Sequence, residues 1–303
     1  MNTNYYPKPS PMGGVLIRRV VSFLRSQRVH LPIHSHILIA TSGGNDSITL
    51  AHLLITYGRR VISKNKIKIL HINHRWRGKA SDLDAKFVRK LAKKWGVKFY
   101  LKQLPYVNLN QKINNNSLEN LARIKRKEIF YNFVKNKKLG KYIFTAHHAD
   151  DLVETVLWRF FTGTINTHGA GILFKSGVEL RPFLQIRKKE LLEYLKQEKI
   201  PWREDITNQD DRFLRVQIRK QLLPLVEKIF PRVVQNLLNN TLPKQKKFSK
   251  FITSKNANNI FSLLNIRIKK SHLEIIKNIN SNGTKKISIP LRGGWCLNKG
   301  YKM

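Results

Sequence analysis

The sequence predicts an α/β protein: a doubly wound parallel sheet followed by a small, mainly helical C-terminal domain. Three observations predict it. Short runs of branched apolar residues alternate with longer segments whose apolar residues recur at helical spacing. The first run, Ile37-Leu38-Ile39-Ala40, leads through Thr41 into Ser42-Gly43-Gly44-Asn45-Asp46-Ser47, a glycine-rich turn that opens a helix. From about Lys244 the chain shifts to Lys, Asn and Ser with scattered apolar residues. We place a boundary near residue 212, giving domains over 1–211 and 212–303.

Each element follows in order. The first 35 residues contain no acid and carry Arg18, Arg19, Arg25 and Arg28, a composition shared with organelle transit peptides. Val15, Val20, Phe23 and Leu24 instead suggest an amphipathic helix packed on the sheet, which we prefer. After the glycine-rich turn, Leu50, Leu53, Leu54 and Tyr57 mark a helix. Lys66 to Ile72 reads as the second strand, and Phe87, Val88, Leu91, Ala92 and Trp95 as the next helix. Val97 to Leu101 is a third strand and Asn108 to Asn116 an exposed polar loop. Leu118, Leu121, Ala122, Ile129, Phe130 and Phe133 give a long helix, and Tyr142 to Ala146 a fourth strand. Val153, Val156, Leu157, Phe160 and Phe161 mark a helix, followed by a loop over Gly163 to Gly177 and a strand over Val178 to Phe183. A helix is expected over Glu190 to Glu198 and a polar loop over Pro201 to Asp211. Phe213 to Val226 carries an apolar stripe among Arg215, Arg219 and Lys220, and Ile287 to Leu297 is hairpin-like.

The 58 basic and 18 acidic residues leave a net charge of +40, which favours a polyanionic partner, nucleic acid ahead of an anionic membrane surface. The competing explanation is an AT-rich genome that inflates Lys, Asn and Ile throughout. The single cysteine, Cys296, excludes a disulfide framework, a Cys-x-x-Cys pair or a cysteine-held iron–sulfur or zinc site within the chain. No uncharged apolar stretch reaches the roughly 18–20 residues of a membrane helix.

In a doubly wound sheet, ligands bind beyond the carboxyl ends of the strands where strand order reverses. The glycine-rich turn follows the first strand, His71 and His74 the second, and His147 and His148 the fourth, so all should lie on one rim. Two adjacent glycines and a helix N-terminus suit a phosphate, with Ser42 and Ser47 as further donors. The turn is neither a Walker A motif nor a dinucleotide fingerprint. A simple turn capped by Asp46 or Ser47 is the plainer alternative. A carboxylate at Asp46 beside phosphate calls for a cation such as Mg²⁺. His147-His148-Ala149-Asp150-Asp151-Leu152-Val153-Glu154-Thr155 is the second constellation. Asp151 and Glu154 there have capping-box spacing, so one of the acids has a structural reading.

Ser42-Gly43-Gly44-x-Asp46-Ser47 after the first strand resembles the pyrophosphate loop of the N-type ATP pyrophosphatases, a Rossmann-like, adenine-nucleotide alpha-hydrolase-like fold. Within that superfamily the chain resembles the tRNA(Ile)-lysidine synthetases, collinearly from about Ile37 to Pro224. The resemblance runs through His71-Ile72-Asn73-His74 with Arg77, Ser81-x-x-Asp84-Ala85, and Glu119-x-x-Ala122-Arg123-x-x-Arg126. It continues through His148-x-Asp150-Asp151-x-x-Glu154-Thr155, Arg181-Pro182, Asp205-x-Thr207-Asn208, and Arg215-x-x-x-Arg219 into Leu222-x-Pro224. Lys127 stands where the family usually has an aromatic, and Val216 where it usually has Asn. Longer members carry an additional C-terminal domain.

The resemblance implies an ATP-dependent ligase that adenylates the C2 carbonyl oxygen of the first anticodon cytidine of a tRNA(Ile) with a CAU anticodon. Free lysine then displaces AMP to give lysidine. It implies ATP, with Mg²⁺, bound by Ser42, Gly43, Gly44, Asn45, Asp46 and Ser47 with His71 and His148. Asp46, Asp150, Asp151 and Glu154 are the implied catalytic carboxylates. Arg77, Glu119, Arg123, Arg126, Arg181, Asp205, Asn208, Arg215 and Arg219 are the implied substrate contacts. Metal ligands are not specified. The alternatives are a cytidine thiolase, disfavoured by the lone cysteine, an amide-forming relative, disfavoured by the charge, and a non-catalytic basic RNA-binding protein. A homodimer is among the open oligomeric states, no membrane association is expected, and composition suggests a plastid or else a bacterial cytoplasm.

Overall fold

In the computed structural model, Ile37–Ala40 (β1) lies inside a six-stranded sheet of order β3-β2-β1-β4-β6-β5. The other strands are Ile67–Asn73 (β2), Lys98–Gln103 (β3), Tyr142–Phe144 (β4), Lys175–Ser176 (β5) and Glu179–Leu180 (β6). The structure describes residues 10–27, 29, 36–58, 62–75, 78–104, 115–135, 139–164, 171–204, 214–242, 288–291 and 295–298. Pairing is parallel except between β5 and β6, and β1 sets Ile39 opposite both Ile69 and Phe144. Strand order reverses between β1 and β4, so a crevice opens beyond their carboxyl ends.

Alternation along β1 divides the core. Ile37 and Ile39 face the larger cluster, which includes Val20, Leu50, Val88 and Leu152. Leu38 faces the smaller one, with Ile129 and Phe130. The helices behind these residues are Pro11–Ser26 (α1), Asn45–Tyr57 (α2), Lys79–Trp95 (α3), Asn115–Lys135 (α4) and Ala149–Phe161 (α5). One face of the sheet therefore rests on α4, while α1, α2 and α3 crowd the other.

The expected N-terminal helix is present, with one correction. Val15 is exposed, and the buried stripe runs Gly13, Leu16, Ile17, Val20, Phe23 and Leu24. The Tyr57 ring lies where a side chain at residue 13 would stand, so glycine there lets α1 meet α2.

Two further boundaries differ from expectation. The strand read over Val178 to Phe183 shortens to Glu179–Leu180, and the residues before it form β5, turned back through Gly177 at φ +60°. Asn115 and Asn116 already belong to α4; the rest of the expected Asn108 loop lies outside the described residues. Farther along come Lys188–Gln197 (α6), Leu214–Gln217 (α7), a π-helical turn over Ile218–Leu222, Leu223–Ile229 (α8) and Val233–Thr241 (α9). In that turn the Leu223 N–H donates to the Ile218 carbonyl, five residues back. Pro224 follows without an N–H to donate. Val234 and Leu238 of α9 join the larger core. The hairpin-like segment forms β7 (Ser288–Leu291) paired antiparallel with β8 (Trp295–Asn298). Residues 243–287 lie outside the described residues.

Candidate active site

The glycine-rich turn begins where β1 leaves the sheet. Thr41 N–H still donates to Leu70 O at 2.9 Å, and His71 Nδ1–H donates to Thr41 O at 2.8 Å. Burial pushes the His71 pKa down, and the Thr41 bond pulls the other way. His71 is 3 % exposed, so it holds the strand end from beneath and does not line the cleft.

Gly43 turns the chain at φ +108°, a backbone region that favours glycine. The Ser47 hydroxyl folds inward. Its oxygen accepts from Ser42 N at 3.1 Å and Gly43 N at 3.3 Å, and it donates to Gly44 O at 3.0 Å. Ser47 thus braces the loop. Gly44 is the N-cap of α2 and no side chain caps it, so the helix keeps its positive end open to a ligand. Of the plainer alternative, the Ser47 half forms, its hydroxyl taking two amides of the turn, while the Asp46 carboxylate turns to His148 and Lys188.

A cleft of about 390 Å³ opens over this loop. That size is within the range of small-ligand and cofactor sites. Thr41 through Ser47 form its floor, and His74, Asp84, Arg126, His147, Asp151, Arg203 and Glu204 are among its walls. Arg203 ties the loop to α3. Its N–H donates to Gly43 O at 3.0 Å, and its guanidinium pairs with Asp84. Neither Arg203 nor Asp84 was assigned a role from the sequence. Asp84 stands inside the Ser81-x-x-Asp84-Ala85 motif, whereas Arg203 follows Pro201-Trp202 in a segment that reads only as polar.

Asp46 faces His148 and Lys188. Its Oδ2 lies 3.6 Å from His148 Nε2 and 3.7 Å from Lys188 Nζ, while its Oδ1 is buried and has no hydrogen-bond partner. Burial opposes its ionisation, but His148, Lys188 and Arg219 together hold its pKa below the usual carboxylate value. Lys188, at the start of α6, carried no signal in the sequence.

His148 is the N-cap of α5 and is 1 % exposed. In the neutral ring Nδ1 accepts from Asp151 N at 3.3 Å, and in either charge state the His148 backbone N–H donates to Asp151 Oδ2 at 3.0 Å. The capping box is therefore His148 with Asp151. The Asp151–Glu154 spacing noted in the sequence belongs to no box, because the helix starts nearly a turn earlier than its apolar pattern. Burial disfavours the imidazolium, but Asp151, Asp46 and Asp150 outweigh it and raise the His148 pKa.

The remaining predicted residues divide by position. Asp151 and Arg126 line the cleft. Asp150 sits behind it, accepting from Arg187 Nε at 2.9 Å and Lys188 N at 2.7 Å, and Arg187 continues to Glu227 at 2.7 Å. Glu154 is also behind, 3 % exposed, with a two-point pair to Arg219: Nε to Oε1 at 2.6 Å and Nη2 to Oε2 at 2.8 Å. Burial raises the Glu154 pKa against the pull of Arg219. Arg181 is buried and donates to Glu179 at 2.7 Å, Leu173 O at 2.6 Å and His147 Nδ1 at 3.3 Å. His147, in the wall, is driven down to about 4 by desolvation, with Arg181 and Arg126 adding to the effect. Arg123 and Arg215 are exposed, and the Arg215 guanidinium lies 5.4 Å from the centre of the Trp158 ring. Glu119 is in α4, but its side chain lies outside the described residues, as do Arg77, Asp205 and Asn208.

Comparison with known proteins agrees with this geometry. The chain is 33 % identical over 229 residues to a protein of Bacteroides thetaiotaomicron named tRNA(Ile)-lysidine synthase, covering 74 % of this chain and 50 % of that one. It is 32 % identical over 219 residues to a Listeria monocytogenes protein named Bifunctional protein TilS/HprT, covering 68 % of this chain and 33 % of that one. The chain thus spans a third to a half of the length of these relatives. A solved structure described as a U34-tRNA thiolase from Methanococcus maripaludis with its 4Fe–4S cluster superposes with a TM-score of 0.58 at 16 % identity. It covers 75 % of this chain and 78 % of that one, a likeness of fold. The family model described as PP-loop domain matches residues 16–226, which include the loop, the cleft and the Glu154–Arg219 pair, and the chain belongs to the PP-loop domain family.

Proposed function

We propose that the protein is an ATP-dependent tRNA-modifying ligase that joins lysine to C2 of the wobble cytidine of a tRNA(Ile) with a CAU anticodon. The observation that carries the reading is the cleft itself. An open helix N-terminus and Asp46 stand on one side, and Asp151 and Arg126 stand on the other. The names of the similar proteins support the substrate. The lone cysteine disfavours cluster-dependent thiolation by this chain.

ATP binds with its phosphates at the positive end of α2, whose N-cap Gly44 offers no capping side chain. The C2 oxygen of the cytidine attacks the α-phosphorus, diphosphate leaves, and AMP is joined to the base. The lysine ε-amine then attacks C2, loses a proton, and AMP departs with the oxygen. Adenylation matters because it turns a poor leaving oxygen into a good one. Arg126 offsets charge on the phosphates. Asp151 pairs with the substrate ammonium and accepts the proton the amine sheds.

The orphaned, buried Asp46 Oδ1 fits a divalent cation shared with the phosphates. No group of three metal-ligating side chains occurs among the described residues, which suits Mg²⁺, a cation that keeps its waters and takes one or two carboxylates plus phosphate. When bound, it would neutralise the phosphates; Asp46 would hold it. The Lys- and Asn-rich composition supports a plastid or an AT-rich bacterium as the site of action.

The deciding experiment supplies ATP, labelled lysine and tRNA(Ile) bearing a CAU anticodon. Label transferred to the tRNA, with matching AMP release, establishes the reaction. AMP release with label left free would keep the adenylating cleft and remove lysine as the nucleophile. RNA affinity is expected to fall steeply with salt through counterion release; a flat response would mean that the charge is compositional.

A further inference from the structure

α5 carries Asp151, Glu154, Trp158 and Phe161 at spacings of three and four residues, so they share one face. Asp151 lines the cleft, and Phe161 stands about 15 Å farther along the axis at about 1.5 Å per residue. Phe160 and Phe161 are 63 % and 65 % exposed, their rings edge to face with centroids 5.4 Å apart. The chain through α7 runs alongside in the opposite sense: Arg219 grips Glu154, and Arg215, one turn earlier, covers Trp158.

Arginines gather along the same route. Arg123 lies one turn before the cleft residue Arg126 in α4. Burial lowers the Arg159 pKa, and Arg123 and Arg215 lower it further. Arg181 feels Arg126 and Arg123 in the same way, after burial and against Glu179. Mutual repulsion of this kind destabilises the fold and is relieved by a polyanion. Two large exposed rings beside such a cluster match the chemistry of unpaired nucleotides, whose phosphates take arginine and whose bases stack on aromatic faces.

We infer that Phe160 and Phe161, with Arg215 over Trp158, form a stacking ledge for the unpaired nucleotides that flank the base held in the cleft. The inference rests on the RNA reading above and names which part of the RNA this face takes.

The test compares binding of two RNAs to the full chain at equal salt: an anticodon stem-loop with its unpaired loop, and a fully paired duplex of equal length and charge. Wild-type protein is expected to prefer the stem-loop. The double variant Phe160→Ala/Phe161→Ala is expected to bind the duplex unchanged and the stem-loop about tenfold more weakly, the scale of losing stacking on an aromatic side chain. Phe161→Tyr should retain the preference. A double variant that keeps the full stem-loop preference overturns the ledge and leaves the RNA reading standing. Wild-type protein that binds neither RNA overturns both. A change in sedimentation of the variant without a change in RNA preference would assign the face to a second copy of the chain and overturn the ledge.

Discussion

His148 Nε2 lies 3.6 Å from Asp46 Oδ2, and this contact joins the loop after β1 to the helix after β4. The two segments are brought together only by the reversal of strand order. Because His148 also caps α5, a single buried ring sets both the start of that helix and the carboxylate of the nucleotide loop.

Stability should depend on pH through this pair. The folded His148 pKa is raised above 6.5, so its contribution is full below that value and is lost as pH rises through the raised value. Asp46 is depressed below 3.8, so its contribution is present above that value and lost as pH falls through the depressed one. Thermal melts of the wild type should decline as pH rises above 6.5 through the raised His148 value, and those of His148→Gln should decline less over the same range. Parallel declines would assign the titration elsewhere.

Glu154 and Arg219 should be strongly coupled. Removing either leaves a charge in a mostly buried setting, at a cost of about 3 kcal/mol. Glu154→Ala and Arg219→Ala should each lower stability by that order, and the double variant by less than the sum. Denaturant melts of the four proteins measure the coupling, and strict additivity would mean that the pair contributes nothing as a pair.

Loop geometry should govern ATP use. An alanine at Gly43 meets Val88 Cγ2 at an ordinary 3.5 Å, so the penalty is the backbone at φ +108°, about 1–3 kcal/mol. Gly43→Ala should weaken ATP binding by roughly tenfold or more, measured by calorimetry. Arg203→Ala keeps its backbone bond to Gly43 but releases Asp84, so KM for ATP should rise several-fold with a smaller change in kcat.

Asp46→Asn should abolish RNA-dependent AMP release while leaving RNA affinity within a few-fold, because it removes the charge that would hold a cation at the phosphates. Magnesium dependence of ATP binding, read by titration, should disappear with it. Normal AMP release in this variant would move the cation site away from residue 46.

Much of the framework was legible in the residues. β1, the glycine-rich turn and α2 were readable because period and punctuation act locally: a branched run, two glycines, then helical spacing. Asp151 and Arg126 were marked by motif and do reach the cleft. Asp150 and Glu154, assigned the same role from the same motif, turn to Arg187 and Arg219 instead. His71 was placed on the rim with His74, yet successive strand residues point to opposite faces and adjacent positions near a strand end can differ in depth. His71 ended beneath the loop, and His74 in the wall.

By itself, then, the sequence determined an alternating α/β chain, its phosphate loop and its excess of positive charge, since these depend on residue type and short-range spacing. Only the tertiary structure decided which acids face the cleft and which are clamped behind it. The cations that pair with the acids on both sides of this divide lie far along the chain: Arg187, Lys188 and Arg203 carry no local pattern, and Arg219 was marked by motif for substrate rather than for an acid. They meet Asp150, Asp46, Asp84 and Glu154 because the sheet reverses at β1 and β4 and a π-helical turn carries Arg219 against α5. Long-range pairing of charges is fixed by where packed elements bring them, which no window of sequence contains.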